Sequence, residues 1–231
     1  IYMSADDGYH GSELWKSDGT TEGTVMLKDI NKNDYDSDSS SFPGKFINFK
    51  GTIYFVADEP EHDLELWTTD GTELGTQLFK DIYSGPESSY PANFLVLDDK
   101  MYFSAQDQSG IKLWVTDGTL QGTKVVKVVS IATNPSDPQY FGTTDNALYF
   151  RADDWIHGLE LWKTDGKESV TYMVKDIYPG EVDSFFRGIE ETHSISSIIY
   201  FVADDSVHGE ELWKSDGTEE GTVMVKDIYE D

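Results

Sequence analysis

The octapeptide Glu13-Leu14-Trp15-Lys16-Ser17-Asp18-Gly19-Thr20 returns four more times along the chain. The copies are Glu65-Leu66-Trp67-Thr68-Thr69-Asp70-Gly71-Thr72, Lys112-Leu113-Trp114-Val115-Thr116-Asp117-Gly118-Thr119, Glu160-Leu161-Trp162-Lys163-Thr164-Asp165-Gly166-Lys167 and Glu211-Leu212-Trp213-Lys214-Ser215-Asp216-Gly217-Thr218. Successive copies lie roughly 50 residues apart, a period that points to solenoids, propellers or arrays rather than to one irregular domain. From the motif Asp to the Ile (or Val129) that follows Lys-Asp or Lys-Val the spacing is the same in every copy, and length varies in connections such as 31–41 and 130–139. A rigid hairpin joined by elastic loops gives that distribution.

One unit reads as four strands. Lys45–Phe49 alternates and ends at the tight Lys50-Gly51 turn. Thr52–Ala57 follows, then an acidic loop from Asp58 to Asp63, then Leu64–Thr68. Asp70-Gly71-Thr72 turns the chain, with Gly supplying a positive φ, into a fourth strand over Gly75–Ile82. No segment carries sustained helical periodicity with caps. Four antiparallel strands per repeat describe a propeller blade, because one twisted sheet buries its two faces only by stacking on neighbours. The expectation is an all-β, single-domain β-propeller over 1–231, with blades near 1–41, 42–89, 90–138, 139–186 and 187–231. The first copy lacks the strand equivalent to Lys45–Phe49, so five blades close with one three-stranded member, or the chain is an arc of a larger ring. A β-solenoid is the rival, and its rungs usually lack tight Asp-Gly hairpins. Trp15, Trp67, Trp114, Trp162 and Trp213, with the Tyr-Phe pairs at 54/55, 102/103, 149/150 and 200/201, are expected to fill the spaces between blades.

Charge narrows the partners. The chain carries 44 Asp and Glu against 17 Lys and Arg, for a formal charge of -27. That field repels nucleic acid and anionic lipid and attracts divalent cations. The bland reading is a surface acidified for solubility or salt tolerance. With no cysteine, disulfides, thiolate zinc sites and a Cys nucleophile are excluded. No apolar stretch approaches the roughly 18 residues of a membrane span, and no signal peptide is visible. The opening Ile1–Ala5 reads as mid-repeat strand, the expectation for a chain that starts after processing or truncation.

The pattern Glu-Leu-Trp-x-x-Asp-Gly-Thr-x-x-Gly-Thr, then Val-Lys-Asp-Ile, with Tyr-Phe-x-Ala-Asp-Asp-x-x-His-Gly upstream, resembles the bacterial ELWxxDGT repeat proteins. The resemblance covers nearly the whole chain. It implies secreted or surface-attached multi-repeat proteins with propeller-like folds, and says little about ligand. The third copy departs by Lys112 and a shortened preceding loop, the fourth by Lys167 and Val170 in place of Thr and Gly.

Three sets of residues are candidates for chemistry. Asp18, Asp70, Asp117, Asp165 and Asp216 open the Asp-Gly turns; their structural reading is acceptance of turn backbone bonds, similar to the Asp-box of other propellers. The acidic loops hold Asp6, Asp7 and His10; Asp58, Glu59 and His62; Asp153, Asp154 and His157; Asp204, Asp205 and His208. Carboxylates beside an imidazole are donors for a divalent ion or a polar ligand. The third copy, Gln106 to Gly110, has no His, so folding does not require one. Asp34, Asp36 and Asp38 alternate as calcium loops begin, without the Gly and closing Glu of an EF-hand; the bland reading is a solvated linker.

Enzymatic readings find little support. No Gly-x-Ser-x-Gly, His-Glu-x-x-His or phosphate loop occurs, and Trp155, His193, Arg151 and Arg187 form no catalytic set. The expectation is an extracellular, secreted or cell-surface, non-enzymatic binding or adhesion module, calcium-assisted, within a larger surface protein. Its partners are glycans or surface proteins, with neither nucleic acid nor membrane insertion. The alternative is a carbohydrate-binding, lectin-like propeller, with a glycoside-processing enzyme behind it.

Overall fold

The computed structural model describes residues 1–32, 39–127, 129, 138–144, 147–184, 193–195 and 197–228. It is all-β, with five antiparallel sheets. The first has three strands, β1 (Tyr2–Asp6), β2 (Ser12–Lys16) and β3 (Val25–Lys28). The second holds β4 (Gly44–Phe49), β5 (Thr52–Glu59), β6 (Asp63–Thr69) and β7 (Gln77–Lys80), and the third β8 (Ala92–Leu97), β9 (Lys100–Asp107), β10 (Gly110–Thr116) and β11 (Lys124–Val125). The fourth holds β12 (Gln139–Thr144), β13 (Ala147–Asp153), β14 (Leu159–Thr164) and β15 (Tyr172–Lys175), and the fifth β16 (His193–Ile195), β17 (Ile198–Asp204), β18 (Glu210–Ser215) and β19 (Val223–Lys226). In each sheet the strands lie in chain order.

Two boundaries differ from the expectation. The acidic loop of the second repeat is tighter than Asp58–Asp63, because β5 continues to Glu59 and β6 starts at Asp63. The last strand is shorter than Gly75–Ile82 and ends at Lys80. Its would-be continuation leaves the ladder because Ile82 N–H and Tyr83 N–H donate to the Glu65 carboxylate, both at 3.1 Å. Glu168–Val170 forms a short 3-10 turn in the fourth repeat. Val170 stands there in the place of Gly75, where an added Cβ would come within 2.0 Å of Asp70 Oδ1.

The register assigns each side chain to a face, since alternate residues of a strand point oppositely. Phe55 pairs with Trp67 and Ala57 with Glu65, which puts all four on one face of the second sheet; Tyr54, Val56 and Leu66 take the other. The chain divides into two compact units, 1–108 with 116–123, and 109–115 with 124–231. In the first unit, Leu14, Leu27 and Ile30 of the first repeat pack on Phe55, Ala57 and Trp67 of the second, with Tyr2, Phe46 and Leu78 at the margin. Polar clasps rim that apolar contact. Lys16 Nζ donates to Gly71 O at 2.7 Å and Lys28 Nζ to Thr76 O at 2.6 Å, with Lys28 Nζ also 6.0 Å from the Trp67 ring centre.

The second unit repeats the arrangement. Ala147, Tyr149, Leu161, Val174 and Ile177 of the fourth repeat pack on Ile199, Phe201, Ala203 and Trp213 of the fifth. Lys175 Nζ donates to Thr222 O at 2.9 Å and sits 5.8 Å from the Trp213 ring centre. In both contacts the motif Trp and the Phe opposite it on the neighbouring strand therefore face the preceding repeat, and the motif Leu faces the following one. Trp67, Trp114, Trp162 and Trp213 are buried, whereas Trp15 is only half-buried.

Candidate functional site

The strand pair ahead of each motif Trp ends in a short acidic loop, and three of these loops share one construction. Asp7 Oδ1 accepts from Tyr9 N–H at 2.9 Å and His10 N–H at 3.0 Å, and Asp7 Oδ2 lies 2.7 Å from His10 Nδ1. Asp154 accepts from Ile156 N–H and His157 N–H, both at 2.9 Å, and lies 2.8 Å from His157 Nδ1. Asp205 does the same with Val207 N–H, His208 N–H and His208 Nδ1. The carboxylate before each caps the turn too: Asp6 accepts from Gly8 N–H, Asp153 from Trp155 N–H and Asp204 from Ser206 N–H. A short polar side chain bonding backbone two residues on is the ordinary way to stabilise such a turn.

The second repeat modifies the pattern. Glu59 accepts from Glu61 N–H at 3.2 Å and contacts His62 Nδ1. Asp63 replaces the Gly found at 11, 158 and 209 and carries a φ of 54°. Burial, and then the Asp63 charge beside it, pushes Asp58 up to about 6. Glu59, Glu61 and His62 bring ligand atoms within 4.8 Å of one another, the single such trio among the described residues. Glu61 does not stand out in the sequence, because the other loops carry no acid at that place.

The carboxylate partners set the protonation of the imidazoles. The Asp7, Glu59 and Asp205 side chains hold His10, His62 and His208 above the ordinary imidazole range, against the opposing pull of burial. Asp29, Asp81 and Asp227, of the Lys-Asp-Ile segments, add to the same effect from across the repeat. Conversely the His10 bond draws Asp7 below the usual carboxylate range. Burial acts to raise Asp154 and Asp205, and bonds from His157 and His208 outweigh it. A neutral imidazole donating from Nδ1 to a carboxylate leaves its Nε2 lone pair as an acceptor or metal ligand.

Apolar side chains stand at the tips of these loops, next to the charged pair. Tyr9 is 79% exposed, and Trp155, Ile156 and Val207 are exposed as well. Since the loops bond internally, removing an imidazole leaves the sheets intact. His62→Ala is expected to move the melting temperature by no more than about 2 °C, the scale of an exposed polar contact; thermal melts of the two proteins check it.

The Asp-Gly turns form a second recurring network. Asp18 Oδ1 accepts from Thr20 N–H at 2.9 Å and Thr20 Oγ1 at 2.7 Å, while Thr20 Oγ1 accepts from Gly23 N–H at 2.9 Å. Asp70, Asp117 and Asp216 repeat these distances with Thr72, Thr119 and Thr218. In the fourth copy Asp165 accepts from Lys167 N–H and Lys167 Nζ instead. Donors from the turn hold Asp18, Asp70, Asp117 and Asp216 below the usual carboxylate range.

A third network escapes a reading by residue type. The motif acids Glu13, Glu65, Glu160 and Glu211 are buried. Glu160 accepts from Ile177 N–H at 3.1 Å, Tyr178 N–H at 3.2 Å and Ser184 Oγ at 2.8 Å, and Glu65 binds Ile82, Tyr83 and Ser89 alike. Glu13 holds Ile30 and Ser41. Burial pushes Glu13 and Glu65 up and Glu160 to about 8, although the donors pull the other way. Lys112 takes the place in the third copy and bonds Ser109. An acid flanked by buried Leu and Trp in a strand is the signal that marks these residues as internal. Asp34, Asp36 and Asp38 lie outside the described residues.

No protein-family model matches the sequence, and no curated protein matches it. Solved structures do match the fold. A puromycin hydrolase complex aligns over 96% of this chain and 34% of its own, with a TM-score of 0.59 and 11% identity. A second puromycin hydrolase structure aligns over 100% of this chain and 35% of its own, with a TM-score of 0.56 and 12% identity. The chain thus spans about a third of the length of these structures, and the likeness is one of fold: all-β and propeller-like.

Proposed function

We propose that the chain is a non-enzymatic, extracellular binding module whose acidic loops engage a partner several times over. One observation carries this reading: loops with the same carboxylate–imidazole pair and an exposed apolar tip recur in the first, fourth and fifth repeats. Repeated copies of one weak contact gain by avidity, whereas catalysis needs a single asymmetric set. The near-equivalent loops suit the former. The resemblance to ELWxxDGT repeat proteins supports a secreted or surface location, and the charge of -27 is consistent with recruiting divalent cations such as calcium at the loops.

Tyr9 and Trp155 favour glycans as the partner, since an exposed ring beside a carboxylate offers a stacking face and a hydroxyl acceptor together. The test is a glycan array probed with the whole chain in calcium and again in chelator. Reproducible hits that fall away in chelator, and in the Tyr9→Ala and Trp155→Ala variants, are the expected outcome. Hits that survive loss of both rings would place the binding surface elsewhere. No binding to any glycan, together with turnover of a chromogenic glycoside panel, would overturn the proposal.

A further inference from the structure

Two aromatic rings stand outside the networks described above. Phe42 is 64% exposed and Tyr90 60% exposed, and both adopt a left-handed backbone, with φ of 44° and 48°. A bulky side chain rarely takes that conformation, and a following Pro, here Pro43 and Pro91, favours extended backbone instead. Such strain persists only where neighbouring structure over-determines it, and it clusters at ligand clamps. Here the buried Glu supplies the constraint. Ser41 Oγ donates to Glu13 and Ser89 Oγ to Glu65, both at 2.6 Å, so each buried carboxylate fixes the residue just before a ring.

Main-chain bonds place each ring at a seam between two loops. Ser41 N–H and Phe42 N–H both donate to Ser12 O at 3.1 Å, at the exit of the first acidic loop. Asp58 N–H donates to Ser41 O at 2.8 Å, at the entry of the second. Around Tyr90, Ser89 N–H donates to Leu64 O at 3.1 Å and Gln106 N–H to Ser89 O at 2.7 Å. Lys45 Nζ donates to Pro91 O at 3.0 Å and ties the two ring-bearing segments side by side. All of these residues belong to the first compact unit. The sequence carries the pairing of Glu and ring further. Glu160 holds Ser184, and Phe185 follows; where Lys112 replaces the Glu, Asp137 stands in the place of the ring, in Ser136-Asp137-Pro138.

We infer that Phe42 and Tyr90 form a stacking platform for a polymer of protonated amino sugars, a reading that rests on the glycan-binding function proposed above. An exposed aromatic face accepts the apolar side of a sugar ring and attracts an ammonium group. Charge then selects among sugars. Asp6, Asp7, Asp58, Glu59, Glu61 and Asp107 lie in the loops that border the two seams, against one Lys45 turned to a carbonyl. That field repels uronic and sulfated glycans and draws an amino sugar. Rings on consecutive repeats suit a polymer, since each sugar bound raises the effective concentration of the next.

Titration calorimetry of the whole chain with a fully deacetylated glucosamine hexamer, and with its N-acetylated counterpart, tests this in a buffer that keeps the amine protonated. The expected result is an affinity for the deacetylated hexamer at least about tenfold above that for the acetylated one, a difference of about 1.4 kcal/mol. Phe42→Gly with Tyr90→Gly should lower that affinity by about tenfold or more, because both faces are lost. The same pair should melt no lower than the parent, since Gly accepts a positive φ without strain and little buried surface is removed. Phe42→Tyr with Tyr90→Phe keeps both rings and should keep the affinity. Equal affinity for the acetylated hexamer, or binding that survives the double Gly variant, overturns the inference while leaving a glycan-binding module in place. A lysine hexapeptide bound as tightly as the amino sugar overturns it too, because charge alone would then suffice. Failure of both hexamers to bind does the same, as does a double Gly variant that melts below the parent, which would make the rings part of the packing.

Discussion

Replacing Trp67 by Ala lowers the unfolding free energy by about 3–5 kcal/mol, the range for truncating a buried aromatic residue. The reason is positional. The indole sits between repeats, against Leu14, Leu27 and Ile30 of the repeat before its own, and the Phe55 ring lies 6.4 Å away. Its removal opens a void that rigid sheets on both sides fill poorly, and it strips the apolar and cationic contact made by Lys28. Among the described residues the Trp67 indole N–H is buried without an acceptor, so no lost hydrogen bond contributes. The effect is one of packing. Chemical denaturation of the two proteins measures it, and a variant as stable as the parent would show that the ring is not internal.

Truncating Glu160 to Ala is expected to cost about 2–5 kcal/mol, because Ile177 N–H and Tyr178 N–H lose their acceptor inside the protein. Ser184 Oγ retains a second acceptor, Leu159 O, at 3.0 Å. The same carboxyl gives stability a pH dependence. Its folded pKa, about 8, lies above the ordinary 4.5, so the native state holds a proton that the unfolded chain has released. Its contribution is full below 4.5 and falls as pH rises through 8, by on the order of a few kcal/mol. Glu160→Gln carries no ionisable group and flattens that decline. Denaturation midpoints at pH 5 and pH 8 decide it; equal slopes in parent and variant would show that the carboxyl ionises as freely inside as in water.

Much of this fold is legible in the sequence because local chemistry and tertiary packing agree. The Asp-Gly-Thr turns are read from the need for positive φ, and Gly19, Gly71, Gly118, Gly166 and Gly217 all adopt it. The strand count per repeat, and the missing strand of the first, follow from where alternating segments stand between turns. The end of the last strand is not legible in that way. A Lys-Asp-Ile tail has strand propensity, and only the distant Glu65 carboxylate, by taking the Ile82 and Tyr83 donors, withdraws it from the ladder.

The candidate loops are legible in part. Composition places Asp and His together, but which of the two carboxylates turns to the imidazole depends on a turn three residues long. The Asp29, Asp81 and Asp227 carboxyls that act on these imidazoles come from far along the chain, and spacing alone cannot bring them there. The motif Glu is misleading by type. An acid suggests a surface or a site, and here it holds backbone ends inside each of four repeats.

Trp67 and Trp213 are each packed by the repeat before their own, and a double-mutant cycle between Leu14 and Trp67 measures that contact directly. The residues lie in different repeats and meet in one core cluster. If they pack as described, Leu14→Ala and Trp67→Ala together cost less than the sum of the single changes, with a coupling of about 1 kcal/mol or more. Strict additivity would mean that the first repeat does not cover Trp67, and neighbouring sheets would then not be joined through their Trp faces.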